Sequence, residues 1–412
     1  MSCAEHLALD RRQILRGAAA SLALWGMMPR SALAGTRDPR FLTIILRGAL
    51  DGLAMVPPVG DPEYQRIRGL SGHNAPPGAG QGLAAPLALD SFFALNPAMP
   101  FLHELYGKRE ALVVHAVATP YRDRSHFDGQ DMLESGLEST VRAEQGWLNR
   151  ALVHLPDAGK ASPKGLAMGA VVPLVMRGSA PVLSWIPKTN NLPLRESTIA
   201  RLMDLYGRTD PALATAFARG LEIDQLARAE AQATNGGGAR PFRDLVTVAQ
   251  TAAEFLSAPD GPRIGALSYN GWDTHANEGI LQGQLANRLT GLDAALKAFA
   301  EGMGPAWKDT IAILVTEFGR TVRINGSEGT DHGTGTVAVL IGGAVAGGRV
   351  MADWPGLGAA ALYQGRDLMP TTDLRAVLKG VLQDHLGIPH GALASTIFPG
   401  SSGVGPATGL VV

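Results

Sequence analysis

The sequence predicts an α/β fold: a three-layer α/β/α sandwich around a mainly parallel sheet. Three observations lead there. Short runs rich in Val, Ile and Leu recur along the chain, as strands covered on both faces require. Patterns at helical spacing lie between those runs. Gly at 51 and Pro at 27 of 412 residues imply many tight turns rather than long bundles. The strand candidates are residues 41–46, 111–116, 264–269, 311–316 and 337–341, and helical spacing runs through 100–106, 279–303 and 374–386. Residues 70–86 are rich in Gly and Pro and read as a surface loop. Residues 168–187 read as a hairpin or irregular strands. Segments 210–233 and 241–256, separated by Asn235-Gly236-Gly237-Gly238, read as a helical insertion over about 210–256, a lid on the sheet.

Composition excludes some functions. Lys and Arg number 36 against 37 Asp and Glu, so no basic excess exists to neutralise a phosphate backbone. Aromatic residues at 6% are too few for base-stacking platforms. No nucleic-acid partner is expected.

The amino-terminal segment carries its own signal. Asp10-Arg11-Arg12-Gln13-Ile14-Leu15-Arg16 looks like a twin-arginine export signal, with an apolar stretch over 17–28 and a small-residue cleavage site at Ala32-Leu33-Ala34. The stretch is too short to span a bilayer. The expectation is a signal peptide over 1–34 and a single domain over 35–412. That domain would be periplasmic or secreted, with the twin-arginine translocase as partner during export and no transmembrane span. An ordinary amphipathic first helix is the alternative. Cleavage would remove Cys3, the only cysteine. Any metal site must then use His nitrogen and carboxylate oxygen.

In an open α/β sheet, ligands bind beyond the carboxyl ends of the strands, and the unusual polar residues of this sequence fall there. The first run leads into Arg47-Gly48-Ala49-Leu50-Asp51-Gly52 and the second into Arg122-Asp123-Arg124-Ser125-His126-Phe127-Asp128. The third leads into Gly271-Trp272-Asp273-Thr274-His275-Ala276-Asn277 and the fourth into Thr316-Glu317-Phe318-Gly319-Arg320. Gly329-Thr330-Asp331-His332-Gly333 precedes the last run. Each has a plainer reading. Asp51 before Gly52 is a turn residue or a ligand. Ser125 with Asp128 fits a capping box, which is compatible with a site at a helix N-terminus. His126 alone reads as a hydrogen-bonded structural His. Asp273 and His275, two apart, can point the same way from an extended segment and form an O/N ligand pair. Asp331-His332 between glycines is the strongest pair, since glycine lets the backbone turn and bring both side chains to one ion. Glu317 is an ion-pair partner of Arg320 or part of the site.

Together, Leu-Arg-Gly-Ala-Leu-Asp-Gly-Leu (46–53), Ser-His-Phe-Asp-Gly-Gln-Asp (125–131), Gly-Trp-Asp-Thr-His-Ala-Asn (271–277), Thr-Glu-Phe-Gly-Arg-Thr (316–321) and Gly-Thr-Asp-His-Gly-Thr (329–334) resemble the domain-of-unknown-function family numbered 1501. The resemblance runs from about Phe41 to the C-terminus. That family is grouped with the alkaline-phosphatase-like superfamily of phosphatases, sulfatases and phosphomutases. The resemblance implies an alkaline-phosphatase-like sandwich with one or two divalent ions at the sheet's carboxyl edge, Zn or Mn favoured, Mg or Ca as alternatives. By analogy Asp51 is a ligand from the first strand, Asp273 and His275 serve one ion, and Asp331 and His332 the other. Ser125 falls near the nucleophile, Arg320 or Arg124 would pair with nonbridging oxygens, and Glu317 completes the catalytic candidates. Ala49 stands where the family usually has a second glycine. No Cys or Ser lies in the context from which sulfatases make their aldehyde nucleophile. The function implied is an exported metal-dependent hydrolase of phosphate-type esters, with sulfate esters second, acting on a small anionic ester or envelope-derived substrate. The alternatives are a non-catalytic periplasmic metal-containing binding protein and a structural protein that keeps a metal for stability.

Overall fold

A computed structural model describes residues 37–68, 85–139, 143–155, 164–169, 171–185 and 240–412. The chain divides into two units, Met1–Asp38 and Pro39–Val412, and the fold is that of the second. The expected signal peptide, most of the 70–86 loop and the helix expected over 210–233 lie outside the described residues.

Eleven strands are described: β1 (Arg40–Arg47), β2 (Leu87–Ala88), β3 (Ala94–Leu95), β4 (Ala111–Ala118), β5 (Gly165–Met168), β6 (Val182–Trp185), β7 (Ile264–Asn270), β8 (Thr310–Val315), β9 (Thr336–Ile341), β10 (Arg349–Met351) and β11 (Thr372–Asp373). β2 and β3 pair as a small antiparallel ribbon. The others form one sheet in the order β10-β4-β9-β8-β1-β7-β5-β6, with β11 beside β4. β9 runs antiparallel to both β4 and β8, and the remaining pairings are parallel. β5 and β6 are parallel neighbours, which excludes the hairpin expected over 168–187, because parallel strands need a crossover.

Alternate side chains of each strand point to opposite faces, and both faces are apolar. On one face Leu42, Ile44, Leu46, Val113, Leu267, Leu314 and Val339 pack against α3 (Pro100–Gly107), α6 (Arg240–Ser257) and α7 (Gln284–Met303). Phe41, Ile45, Leu112, Val114, Ile313 and Leu340 face the other way, toward α4 (His126–Ser135), α5 (Trp147–Val153) and α8 (Leu374–Asp384). Two short helices, α1 (Gly52–Met55) and α2 (Pro62–Arg68), follow β1. This is the three-layer sandwich.

Helix α6 contains the second half of the expected insertion. Leu245, Ala249, Ala252, Ala253 and Leu256 recur at helical spacing and are all buried in the core. That stretch is a layer of the sandwich rather than a lid. Helix α7 starts at Gln284, later than its apolar pattern, because Gly279 (φ 63°) and Gly283 (φ 134°) adopt left-handed backbone before it. Among the described residues no helix is long and apolar enough to cross a membrane.

Ile313 sits in central β8 with none of its surface exposed. Ile313→Ala should cost about 2–5 kcal/mol of stability in a denaturant titration. A loss under about 1 kcal/mol would contradict packing on that face.

Candidate metal centre

The carboxyl ends of β1, β4, β7 and β8 share one edge of the sheet. Because β9 is reversed, its amino end lies on that edge too, so the loop before it joins the loops after the others. The segment after β8 and the loop before β9 run side by side, with hydrogen bonds from Gly319 N to Thr334 O (2.9 Å), Gly333 N to Gly319 O (2.8 Å) and Thr321 N to Asp331 O (2.8 Å). Here glycine serves close approach rather than the expected sharp turn. A Cβ on Gly333 would lie 2.4 Å from the Arg320 carbonyl carbon, and one on Gly329 would lie 2.3 Å from that of His275.

Three imidazoles meet at this edge. His126 is the first residue of α4, His275 follows β7, and His332 precedes β9. His126 Nε2 lies 2.9 Å from His332 Nε2, and His275 Nε2 lies 3.0 Å from that same atom. Asp273 Oδ1 is 3.0 Å from His275 Nε2 and 3.2 Å from His332 Nε2, while its Oδ2 is 3.4 Å from His126 Nε2. Each ring turns its other nitrogen to an acceptor. His126 Nδ1 faces Glu317 Oε1 at 2.8 Å, His332 Nδ1 faces the Arg124 carbonyl at 2.9 Å, and His275 Nδ1 faces Asp331 Oδ1 at 3.4 Å. A proton on each Nδ1 would leave each Nε2 with a lone pair, those of His126 and His332 meeting beside Asp273. Metal-binding histidines are held from behind in this way. Lone pairs at such distances repel unless a proton or a cation lies among them. Among the described residues His126, Asp273 and His332 offer donor atoms within 4.8 Å of one another, a group that could hold a cation, and His275 stands beside it.

Buried groups fix these ligands. Glu317 is fully buried and also accepts from Gly48 N (2.8 Å) and Gln130 Nε2 (3.1 Å). The Phe318 ring stacks on His126 with centroids 5.0 Å apart. Arg320 donates to Asp273 Oδ1 (2.6 Å), to Thr330 Oγ1 (3.0 Å) and to the Thr330 carbonyl. The hydrogen bond to Glu317 outweighs burial and raises the His126 pKa, with Asp273 adding to it. Burial, then the neighbouring His126, lowers that of His332. Burial works against the charge on Asp273, but Arg320 prevails and its pKa falls.

The candidates named from sequence fall into two groups. Asp273, His275 and His332 are brought together. The others lie outside this group. Asp51 is buried in a two-pronged ion pair with Arg68 (2.7 and 3.2 Å) and caps α1 through Ala54 N (3.1 Å). Its carboxylate is spent there. Asp331 is exposed, held by Asn325 Nδ2 (3.1 Å), and stands behind His275. Glu317 stands behind His126. Arg320 is buried against Asp273, and Arg124 donates to Asp367 (2.8 Å) and Gln364 (2.7 Å), so neither guanidinium is turned to the opening. Ser125 occupies the N-cap position of α4 without a side-chain capping bond. The residue missed is His126. Its signal was its place, one residue past the Ser at the helix start.

Residues 109–397 match the family described as Protein of unknown function (DUF1501). That span contains His126, Asp273, His275, Glu317, Arg320 and His332 but not Asp51. No curated protein is similar to the chain by sequence. Among solved structures, Ps i-CgsB in complex with k-i-k-neocarrahexaose is similar at 10% identity and TM-score 0.42, over 86% of this chain and 73% of its own. BT1596, a 2-O GAG sulfatase, is similar at 11% and 0.40, over 86% and 71%. A protein in the alkaline phosphatase superfamily from Vibrio parahaemolyticus is similar at 13% and 0.33, over 77% of this chain and 63% of its own. Scores this low leave the chemistry to the residues.

Behind the cluster lies a further buried acid. Glu278 accepts from Thr274 Oγ1 (2.7 Å) and Thr330 Oγ1 (3.3 Å). Burial, then the Asp51 charge, pushes its pKa from 4.5 up to about 8. A raised carboxyl binds its proton more tightly folded than unfolded. Its contribution to stability is complete below about pH 4.5 and is lost as pH rises through about 8. Glu278→Gln should therefore gain on the wild type as pH rises across that window. Equal slopes in urea midpoints against pH would refute the assignment.

Proposed function

We propose that this chain, which belongs to the family described as Protein of unknown function (DUF1501), is a hydrolase that holds a divalent ion at His126, Asp273 and His332, with His275 beside them. The observation that carries the reading is the meeting of His126, Asp273 and His332, whose donor atoms all lie within 4.8 Å of one another, each side chain fixed from behind. Nitrogen and carboxylate donors favour Zn or Mn over Mg or Ca. One point of convergence argues for one ion rather than two. When bound, the ion supplies Lewis-acid polarisation of an ester oxygen.

The chain supplies the rest. Glu317 keeps the His126 proton on Nδ1, and Arg320 keeps Asp273 ionised and aimed. Ser125 stands beside His126 with its side chain not spent on capping, and it is the nucleophile this reading assigns. The substrate class is a phosphate-type ester, sulfate esters second, by resemblance to the alkaline-phosphatase-like superfamily. The Arg11-Arg12 signal supports twin-arginine export to the periplasm or beyond. One observation favours a non-catalytic metal-containing binding protein instead. Arg320 and Arg124, the groups suited to anionic oxygens, are committed to Asp273 and Asp367.

Two measurements decide. Metal analysis of the purified full chain should find about one ion per chain. His126→Ala should lose it and Asp331→Ala should retain it; retention in His126→Ala, or a wild type that takes up no added Zn or Mn, refutes the site. Against a panel of phosphate and sulfate esters, Ser125→Ala should keep the ion and lose turnover by roughly a thousand-fold or more. Undiminished turnover would remove Ser125 as nucleophile, and no turnover by a loaded wild type would leave the binding protein.

A further inference from the structure

His332 is held by more than its ring. Its Nδ1 donates to the main-chain carbonyl of Arg124 (2.9 Å), and its own carbonyl accepts from Arg366 Nη2. Both arginines are tied to one carboxylate. Asp367 is fully buried. Its Oδ2 accepts from Arg124 Nε (2.8 Å) and Nη2 (2.7 Å), and its Oδ1 from Arg366 Nε (2.9 Å).

Asp367 is itself rooted. Its backbone exchanges hydrogen bonds with Tyr363 (2.9 and 3.1 Å) and bridges to Thr321, next to Arg320. Arg124 is the arm that needs holding, because its φ of 62° lies in the left-handed region, which a non-glycine residue rarely adopts. That conformation accompanies the aim of its carbonyl at His332. The Asp367 ion pair, the Gln364 hydrogen bond (2.7 Å) and the Tyr363 ring 5.7 Å away all grip its side chain.

We propose that Asp367 is a positioning residue for the metal centre. Through Arg124 and Arg366 it keeps the His332 proton on Nδ1 and aims Nε2 toward His126 and Asp273. The inference rests on the metal-centre reading for its effect on ion affinity. Its effect on the His332 proton stands apart from that reading. Metal-ligating histidines lose roughly 10–100-fold in affinity when the group behind them is removed. Asp367 would act one step further back, through the two arginines.

The test uses the full chain, Zn²⁺ titrated against a competing chelator, and the ¹⁵N resonances of the His332 ring in ion-free protein. Asp367→Asn keeps the volume and weakens both ion pairs. Zn²⁺ binding should weaken about 10–100-fold, and His332 should pass from the Nδ1–H form to a mixture. A loss of packing alone would lower the melting temperature without moving the proton. Arg366→Gln removes one arm at a half-exposed position and should give a smaller change of the same kind. It carries the test if Asp367→Asn does not fold. Unchanged affinity and unchanged ring resonances in the folded variants overturn the proposal. A wild type that binds no Zn²⁺ defeats the metal reading, and the ring resonances then decide the positioning role alone.

Discussion

The Nε2 atoms of His126 and His275 each lie at hydrogen-bonding distance from that of His332, a spacing that calls for a proton or a cation between the rings. Behind the rings stand two carboxylates and a carbonyl, each an acceptor for the proton of the ring nitrogen that faces it. Much of the surrounding structure serves that arrangement. Glu317 pays a desolvation cost inside the sheet edge to hold His126, and Arg320 is buried to hold Asp273. Each buried charge is matched by hydrogen bonds or an opposite charge, as a low-dielectric interior requires.

The sheet makes that convergence available. Four parallel strands deliver their loops to one edge, and the single reversed strand, β9, delivers a fifth from its beginning rather than its end. Had β9 run parallel, the loop carrying His332 would lie at the far edge of the sheet. The reversal thus joins the histidine before β9 to those after β4 and β7.

Much of this was legible in the sequence. The five apolar runs are strands of the sheet, and the polar clusters do gather at its carboxyl edge, because buried strands and strand-end loops are local patterns. Asp273 with His275, and His332 between glycines, stood out because ligand pairs close in sequence need no knowledge of the fold. His126 did not stand out. Its partner Glu317 is 191 residues away and its neighbour His332 is 206 away, so nothing nearby distinguished it from a structural His. Asp51 misled for the complementary reason. A strand-end Asp-Gly looks the same whether it faces an ion or a buried Arg68 on the next helix. The parallel pairing of β5 and β6 and the reversal of β9 are choices of direction, and apolar composition carries no direction.

His126, Asp273 and His332 enter from three stretches of chain far apart in sequence, yet β4 and β9, which lead into and out of the first and last of them, are neighbours in the sheet. No fragment that stops short of residue 332 or begins after residue 126 contains the set. A cation caught among them would act as a cross-link closing a loop of about two hundred residues, which removes entropy from the unfolded chain as a disulfide does. For a chain whose only cysteine lies at position 3, no disulfide within the chain could do the same.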